Sequence, residues 1–223
     1  MSRLRLVIFD VDGTLVDSQG DIVGAMHAAF GALEMAPPAR ADILSIVGLS
    51  LEVAMARLAP GLAGETHQAL VAHYKDAYVG ARQAGHSGPL YPGVAEVLDR
   101  LARQEDWLLG IATGKSRRGL TALLEAQGLT GRFVTQQVSD FHPSKPHPSM
   151  IHQAMADAGV GPEATVMIGD TSFDMDMAAA AGVTGIGVKW GYHGPERLAA
   201  AAHLVEDFAA LPALLEQIWS IPA

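Results

Sequence analysis

The chain has 223 residues, 49% of them hydrophobic, with no cysteine and a formal net charge of −9. That length accommodates one α/β domain with a small insertion, and the missing cysteine excludes disulfides, thiolate metal ligands and cysteine catalysis. The acidic balance argues against a general nucleic-acid binder, and no apolar run approaches the about eighteen residues of a membrane span. No pattern of charged head, apolar stretch and small-residue cleavage site precedes the first predicted strand, so the cytoplasm is the expected compartment.

That strand, 4–9, is apolar and branched apart from Arg5, as a buried parallel strand would be. It leads into Phe9-Asp10-Val11-Asp12-Gly13-Thr14, where Gly13 and Thr14 break it. In an open α/β sheet, ligands bind just beyond the carboxyl ends of the strands. Crowded carboxylates such as Asp10 and Asp12 repel unless a cation or a shared proton relieves them. Asp-Gly alone is an ordinary solvated turn, so the pair takes its meaning from partners further along.

The segment 18–88 shows helix-like stretches at 21–33, 51–58 and 66–83 but no convincing strand. Pro37-Pro38, Pro60-Gly61 and the stretch 85–89 punctuate it. It is expected to be a helical cap inserted into a core formed by 1–17 and 89–223, standing over the carboxyl end of the first strand. Asp17 and Ser18 would shape the hinge. Beyond the insertion, helices at 93–104, 116–127, 148–158 and 173–181 alternate with strands at 107–113, 132–138, 165–169, 183–188 and 203–205. Gly128, Gly159 and Gly182 fall where helix C-terminal caps belong. The expected class is α/β: a Rossmann-like parallel sheet with helices on both faces, plus the inserted α-helical cap.

Three further segments would reach the same sheet edge: Ala112-Thr113-Gly114-Lys115-Ser116, Ser144-Lys145-Pro146, and Gly169-Asp170 through Asp174. Singly, each has a plain structural use. Thr113 and Asp170 suit helix caps, Lys145 suits a solvated loop, and Asp174 suits the positive end of a helix dipole. Together they supply the parts of a phosphoryl-transfer site. A carboxylate can attack phosphorus and divide hydrolysis into two displacements. Cations and helix N-termini must neutralise the phosphoryl oxygens, and Mg²⁺ suits an oxygen ligand set built on carboxylates. Asp12 is positioned for acid/base work, whereas Lys115 is expected to be exposed. No H-E-x-x-H pattern supports zinc.

The ordered set Asp10-x-Asp12-Gly13-Thr14, Thr113, Lys145-Pro146 and Gly169-Asp170-x-x-x-Asp174 resembles the four signatures of the haloacid-dehalogenase-like superfamily. The insertion, with Tyr91-Pro92-Gly93 and Trp190-Gly191-Tyr192, is similar to the helical-cap, phosphoglycolate-phosphatase-like branch. The resemblance implies Asp10 as nucleophile and metal ligand, and Asp12 as general acid/base. It assigns Mg²⁺ to Asp10, the Asp12 carbonyl and Asp170. Thr113 and Gly114 would bind the phosphoryl group, Lys145 would hold its charge, and Asp174 would orient Lys145 or a metal-bound water.

The presence of Asp12 argues against dehalogenation, and the absence of lysine from 18–74 argues against a Schiff-base phosphonatase. A Mg²⁺-dependent phosphatase acting on a small phosphorylated metabolite, phosphoglycolate or similar, is the favoured reading. A phosphohexomutase of the β-phosphoglucomutase type is the alternative, ahead of a non-catalytic binding protein. Arg57, Arg82, His27 and His67 are the cap cations available to a substrate carboxylate, Arg57 foremost. No nucleic-acid or membrane partner is expected, and the chain would be a monomer or homodimer.

Overall fold

The computed structural model describes residues 4–85 and 87–220. His86, inside the expected break at 85–89, lies outside the described residues. Six strands form one wholly parallel sheet: β1 (Arg5–Phe9), β2 (Trp107–Thr113), β3 (Thr135–Val138), β4 (Thr165–Gly169), β5 (Thr184–Val188) and β6 (His203–Val205). Their spatial order is β3-β2-β1-β4-β5-β6, so the strand order reverses beside β1. A crevice opens at such a point beyond the carboxyl ends, and β1, β2 and β4 deliver Asp10, Thr113 and Asp170 there.

Side-chain alternation explains why β1 reads as continuously apolar. Val7 and Phe9 pack on one face, with α5 (Val94–Ala102), α6 (Arg117–Ala126) and α9 (Leu211–Ser220). Leu6 and Ile8 pack on the other, with α7 (Ser149–Ala158) and α8 (Ser172–Ala181). Both faces are covered, so each position from Leu6 to Phe9 is buried.

Two strands are shorter than their apolar runs suggest. The run 132–138 joins the ladder only from Thr135, because Phe133 is drawn into the core among the α5 and α6 side chains. Val183 precedes β5 because its N–H closes the end of α8, donating to Ala178 O at 3.0 Å beside Gly182 in the left-handed region. The helices α2 (Arg40–Ser45) and α9 were not expected from the sequence; α2 is a short segment beyond the Pro37-Pro38 break.

Between β1 and α5 the chain forms α1 (Gln19–Ala32), α2, α3 (Leu51–Leu58) and α4 (Gly64–Gln83). These four share a core of their own, including Met26, Phe30, Ile43, Met55 and Leu70. The two crossings into and out of this unit run side by side: Asp17 N–H donates to Pro89 O and Tyr91 N–H to Leu15 O, at 2.9 and 3.0 Å. No described helix is long and apolar enough to cross a membrane.

Candidate active site

Asp10 follows the last residue of β1 and is 1% exposed. Lys145 Nζ, also fully buried, lies 2.8 Å from Asp10 Oδ1 and 2.6 Å from Asp174 Oδ1. The contact with Asp174 is a hydrogen bond, whereas the contact with Asp10 is an ion pair outside hydrogen-bonding geometry. Asp174 is otherwise committed: its Oδ2 accepts from the Thr171 hydroxyl at 2.7 Å and Thr171 N–H at 3.1 Å, completing the capping box of α8. Asp170 accepts from the Thr14 hydroxyl at 3.0 Å and from Tyr192 N–H at 2.8 Å.

Glycine is required on both sides of Asp170. A Cβ at Gly13, whose φ is +84°, or at Gly191 would overlap the Asp170 carboxylate. Trp190 holds its loop against the first motif by donating its indole N–H to Thr14 O at 3.1 Å.

Asp10, Asp170 and Asp174 each present a carboxylate oxygen within 4.8 Å of the others. Burial raises the Asp10 pKa to about 7, against the opposing pull of Lys145. Burial also raises Asp170 well above the carboxylate range, and its neighbours Asp174 and Asp10 add to this. With all three ionised, the carboxylates against one ammonium would leave a deficit of two positive charges, which is why Asp10 and Asp170 hold their protons so tightly without a cation. Asp10 Oδ2 is buried without a hydrogen-bond partner. An all-oxygen donor set, a deficit of two charges and an orphaned carboxylate oxygen fit a hard divalent cation such as Mg²⁺. Burial alone would lower the Lys145 pKa, but Asp10 and Asp174 outweigh it and raise it, so the ammonium persists.

Asp12 points elsewhere. Its Oδ1 accepts from the Ser18 hydroxyl and stands 2.9 Å from Lys115 Nζ. Ser18, assigned only a hinge role from sequence, therefore touches the acid/base candidate directly. Lys115 is a correction: expected at the surface, it has a side chain only 10% exposed and donates to Tyr78 Oη at 3.1 Å. Its burial would lower its pKa, but Asp12 with Tyr78 and Tyr74 raises it instead. The signal was present in its position directly after Thr113-Gly114, which carries it to the sheet edge under α4.

Thr113, at the end of β2, is 1% exposed, and its hydroxyl accepts from Lys115 N–H at 3.2 Å. Gly114 lies beneath the α2–α3 loop, where a Cβ would stand 2.5 Å from Leu49 O. The cap cations divide. Arg82 lines the cavity between α1–α4 and the sheet edge, but Arg57 does not. Arg57 is exposed, with its guanidinium carbon 5.2 Å from the centre of the Phe173 ring. Contrary to expectation, it is thus held against α8 by an aromatic face rather than aimed at a ligand. His27 is exposed, and a His67 ring nitrogen lies 2.7 Å from Ala59 O; neither lines the cavity.

A family model described as haloacid dehalogenase-like hydrolase matches residues 7–188, which include all four motif segments. The chain belongs to that family. A relative named Probable phosphatase IndB, from Dickeya dadantii, is 40% identical over 88% of this chain and 86% of its own. Proteins named phosphoglycolate phosphatase from Caulobacter vibrioides and Agrobacterium fabrum are 35% and 33% identical. The first alignment covers 97% of this chain and 93% of the relative, the second 96% and 94%. A solved hydrolase from Pseudomonas syringae superposes with a TM-score of 0.84 at 27% identity, covering 96% of this chain and 99% of the other. A haloacid dehalogenase-like family protein from Streptococcus pneumoniae gives 0.82 at 25%, with the same coverage. The family's α/β core thus accounts for the sheet.

Proposed function

We propose that the protein is a Mg²⁺-dependent phosphatase hydrolysing a small organic phosphomonoester through an aspartyl-phosphate at Asp10. The observation that carries this reading is Asp10 itself: a buried carboxylate with one oxygen unpartnered and the other facing Lys145. An ordinary structural aspartate would have both oxygens hydrogen-bonded.

Asp10, Asp170 and the Asp12 carbonyl would hold Mg²⁺. Bound there, the ion would neutralise phosphoryl charge. An Asp10 carboxylate oxygen attacks phosphorus while the ester oxygen departs, taking a proton from Asp12. Asp12 then removes a proton from water, whose oxygen attacks phosphorus and breaks the bond to Asp10. Lys145, the Thr113 hydroxyl and the Gly114 amide steady the phosphoryl oxygens throughout. Asp174 holds Lys145 and acts at one remove from the chemistry.

The units 1–17 with 89–223 and 18–88 would serve as core and cap, the cap excluding bulk water from the phosphoenzyme. Phosphoglycolate is the first substrate to test, because several relatives carry that name. The cytoplasm is the compartment we assign, where a cysteine-free enzyme would meet phosphorylated metabolites. A phosphohexomutase would use the same nucleophile and acid/base with a longer-lived phosphoenzyme; the phosphatase names of the relatives favour hydrolysis.

The test is phosphate release from a panel of phosphomonoesters with Mg²⁺, with chelator, and with Asp10→Asn. Release that needs both Mg²⁺ and Asp10 is expected. Release that persists in Asp10→Asn would remove the assignment.

A further inference from the structure

The cavity between α1–α4 and the sheet edge has a volume of about 480 Å³. Asp12, Gly114 and Lys115 belong to its lining, so it opens from the atoms that would handle the leaving group. Away from them one part of the wall is apolar, with Ile22 and Met26 from α1 and Ile46 and Leu49 from the α2–α3 loop. Glu52, Lys75, Arg82, Arg118 and Asp140 add charged groups to the lining. Helix α4 adds Tyr74 and Tyr78, one turn apart on one face, with ring centres 5.8 Å apart and planes at 25°.

The inserted helices rest on the core: Ser50 N–H donates to the Ser144 hydroxyl at 2.9 Å. His193 Nε2 donates to Ser45 O at 3.1 Å, and the backbone at 48–49 touches Gly114. Pockets of about 300–1,000 Å³ take drug-sized ligands, whereas a two-carbon acid phosphate would leave most of the aliphatic wall facing water. The cation nearest the leaving group is also committed. Lys115 is paired with Asp12 and hydrogen-bonded to Tyr78, which leaves it poorly placed to receive a carboxylate beside the ester carbon. The other cations of the lining, Lys75, Arg82 and Arg118, come from other segments and could meet polar groups of a larger ester.

We infer that the preferred substrate is the phosphate ester of a ring-bearing alcohol much larger than glycolate, its ring seated against the aliphatic and tyrosine walls. This rests on the phosphatase reading and names the substrate class of the same site. The experiment compares kcat/KM for phosphoglycolate with that for benzyl phosphate, ribose 5-phosphate and nucleoside 5′-monophosphates. It uses the wild type and two variants that narrow the cavity, Val79→Trp and Ala54→Phe.

At least one ring-bearing ester should exceed phosphoglycolate by about tenfold or more, and a folded narrowing variant should reduce that ratio by a similar factor. Phosphoglycolate equal to or better than every ring-bearing ester would overturn the inference, as would a ratio unmoved by the variants; either leaves the phosphatase reading intact. If nothing is hydrolysed, that reading fails, and calorimetric titration of Asp10→Asn with the same esters and Mg²⁺ decides the cavity question. Tighter binding of a ring-bearing ester supports it, and binding no tighter than that of phosphoglycolate overturns it.

Discussion

Lys145 has a structural contribution that one substitution can measure. It is the ammonium between Asp10 and Asp174, and all three groups are buried. Removing one partner of a buried ion network leaves uncompensated charge, typically costing about 3–5 kcal/mol. Lys145→Met should therefore lower stability by about that amount in metal-free urea denaturation, and Mg²⁺ should recover part of the loss by binding the folded state. A loss below about 1 kcal/mol would place Lys145 in a surface-like setting and contradict the geometry. Asp12 makes a different prediction, because its carboxylate meets Ser18 and Lys115 rather than the acidic cluster. Asp12→Asn should cost about 10²–10⁴-fold in kcat on alkyl phosphates. With p-nitrophenyl phosphate, whose leaving group needs no proton, a stoichiometric burst should survive while steady turnover falls. Equal loss of burst and steady state would contradict a role in leaving-group protonation.

At the scale of elements, His193 joins the loop after β5 to both units. Its Nδ1 accepts from Ser172 N–H at 3.0 Å at the start of α8, and its Nε2 faces Ser45 O at the end of α2. This pairing requires the neutral ring. Burial holds the imidazole below its ordinary 6.5 and Arg197 adds to this, while Ser45 O, Asp174 and Glu196 pull the other way. The Phe173 ring packs against it edge-on. Because the folded pKa is lowered, the unfolded chain takes the proton first. The stabilisation is complete above the ordinary pKa and declines as pH falls below it. As pH falls from about 7 to about 5, the wild type should lose stability relative to His193→Phe in thermal scans. Asp10 and Asp170, whose raised pKa values make the folded chain take protons first and pull the other way, are common to both. A difference that stays constant over that range would remove His193 as the source of the loss.

The elements also show what the sequence makes legible. β1, β2 and β4 declare themselves because both their faces are buried, leaving uninterrupted apolar runs. Asp10, Asp12, Thr113, Lys145, Asp170 and Asp174 stand out because each sits at a strand end or loop in a fixed order. The partners of Lys115 and Arg57 were hidden for one shared reason. A long cation pairs with whatever tertiary packing brings near it, here Asp12 with Tyr78 and Phe173 respectively. No local pattern specifies that neighbour. Similarly, α2 is too short for a periodic pattern to announce it.

Across the whole molecule, the parallel sheet brings three strand ends to one crevice, and the inserted helices cover it with a separately packed unit. The paired crossings at Asp17–Pro89 and Leu15–Tyr91 leave Asp12 and Ser18 next to the joint. Movement of the helices would thus be felt at the acid/base candidate while Asp10 stays on the sheet. On the proposed reading, bond-making would fall to the core and substrate choice to the cover.

The central claim is that Asp10 carries the phosphoryl group. The most direct test is to quench the enzyme during turnover with Mg²⁺, reduce it with borohydride and map the product by mass spectrometry. An acyl phosphate at Asp10 should appear as homoserine at position 10, dependent on substrate and absent from Asp10→Asn. Substrate-dependent homoserine at another aspartate, or none at any position while the enzyme turns over with a demonstrated burst, would contradict the account.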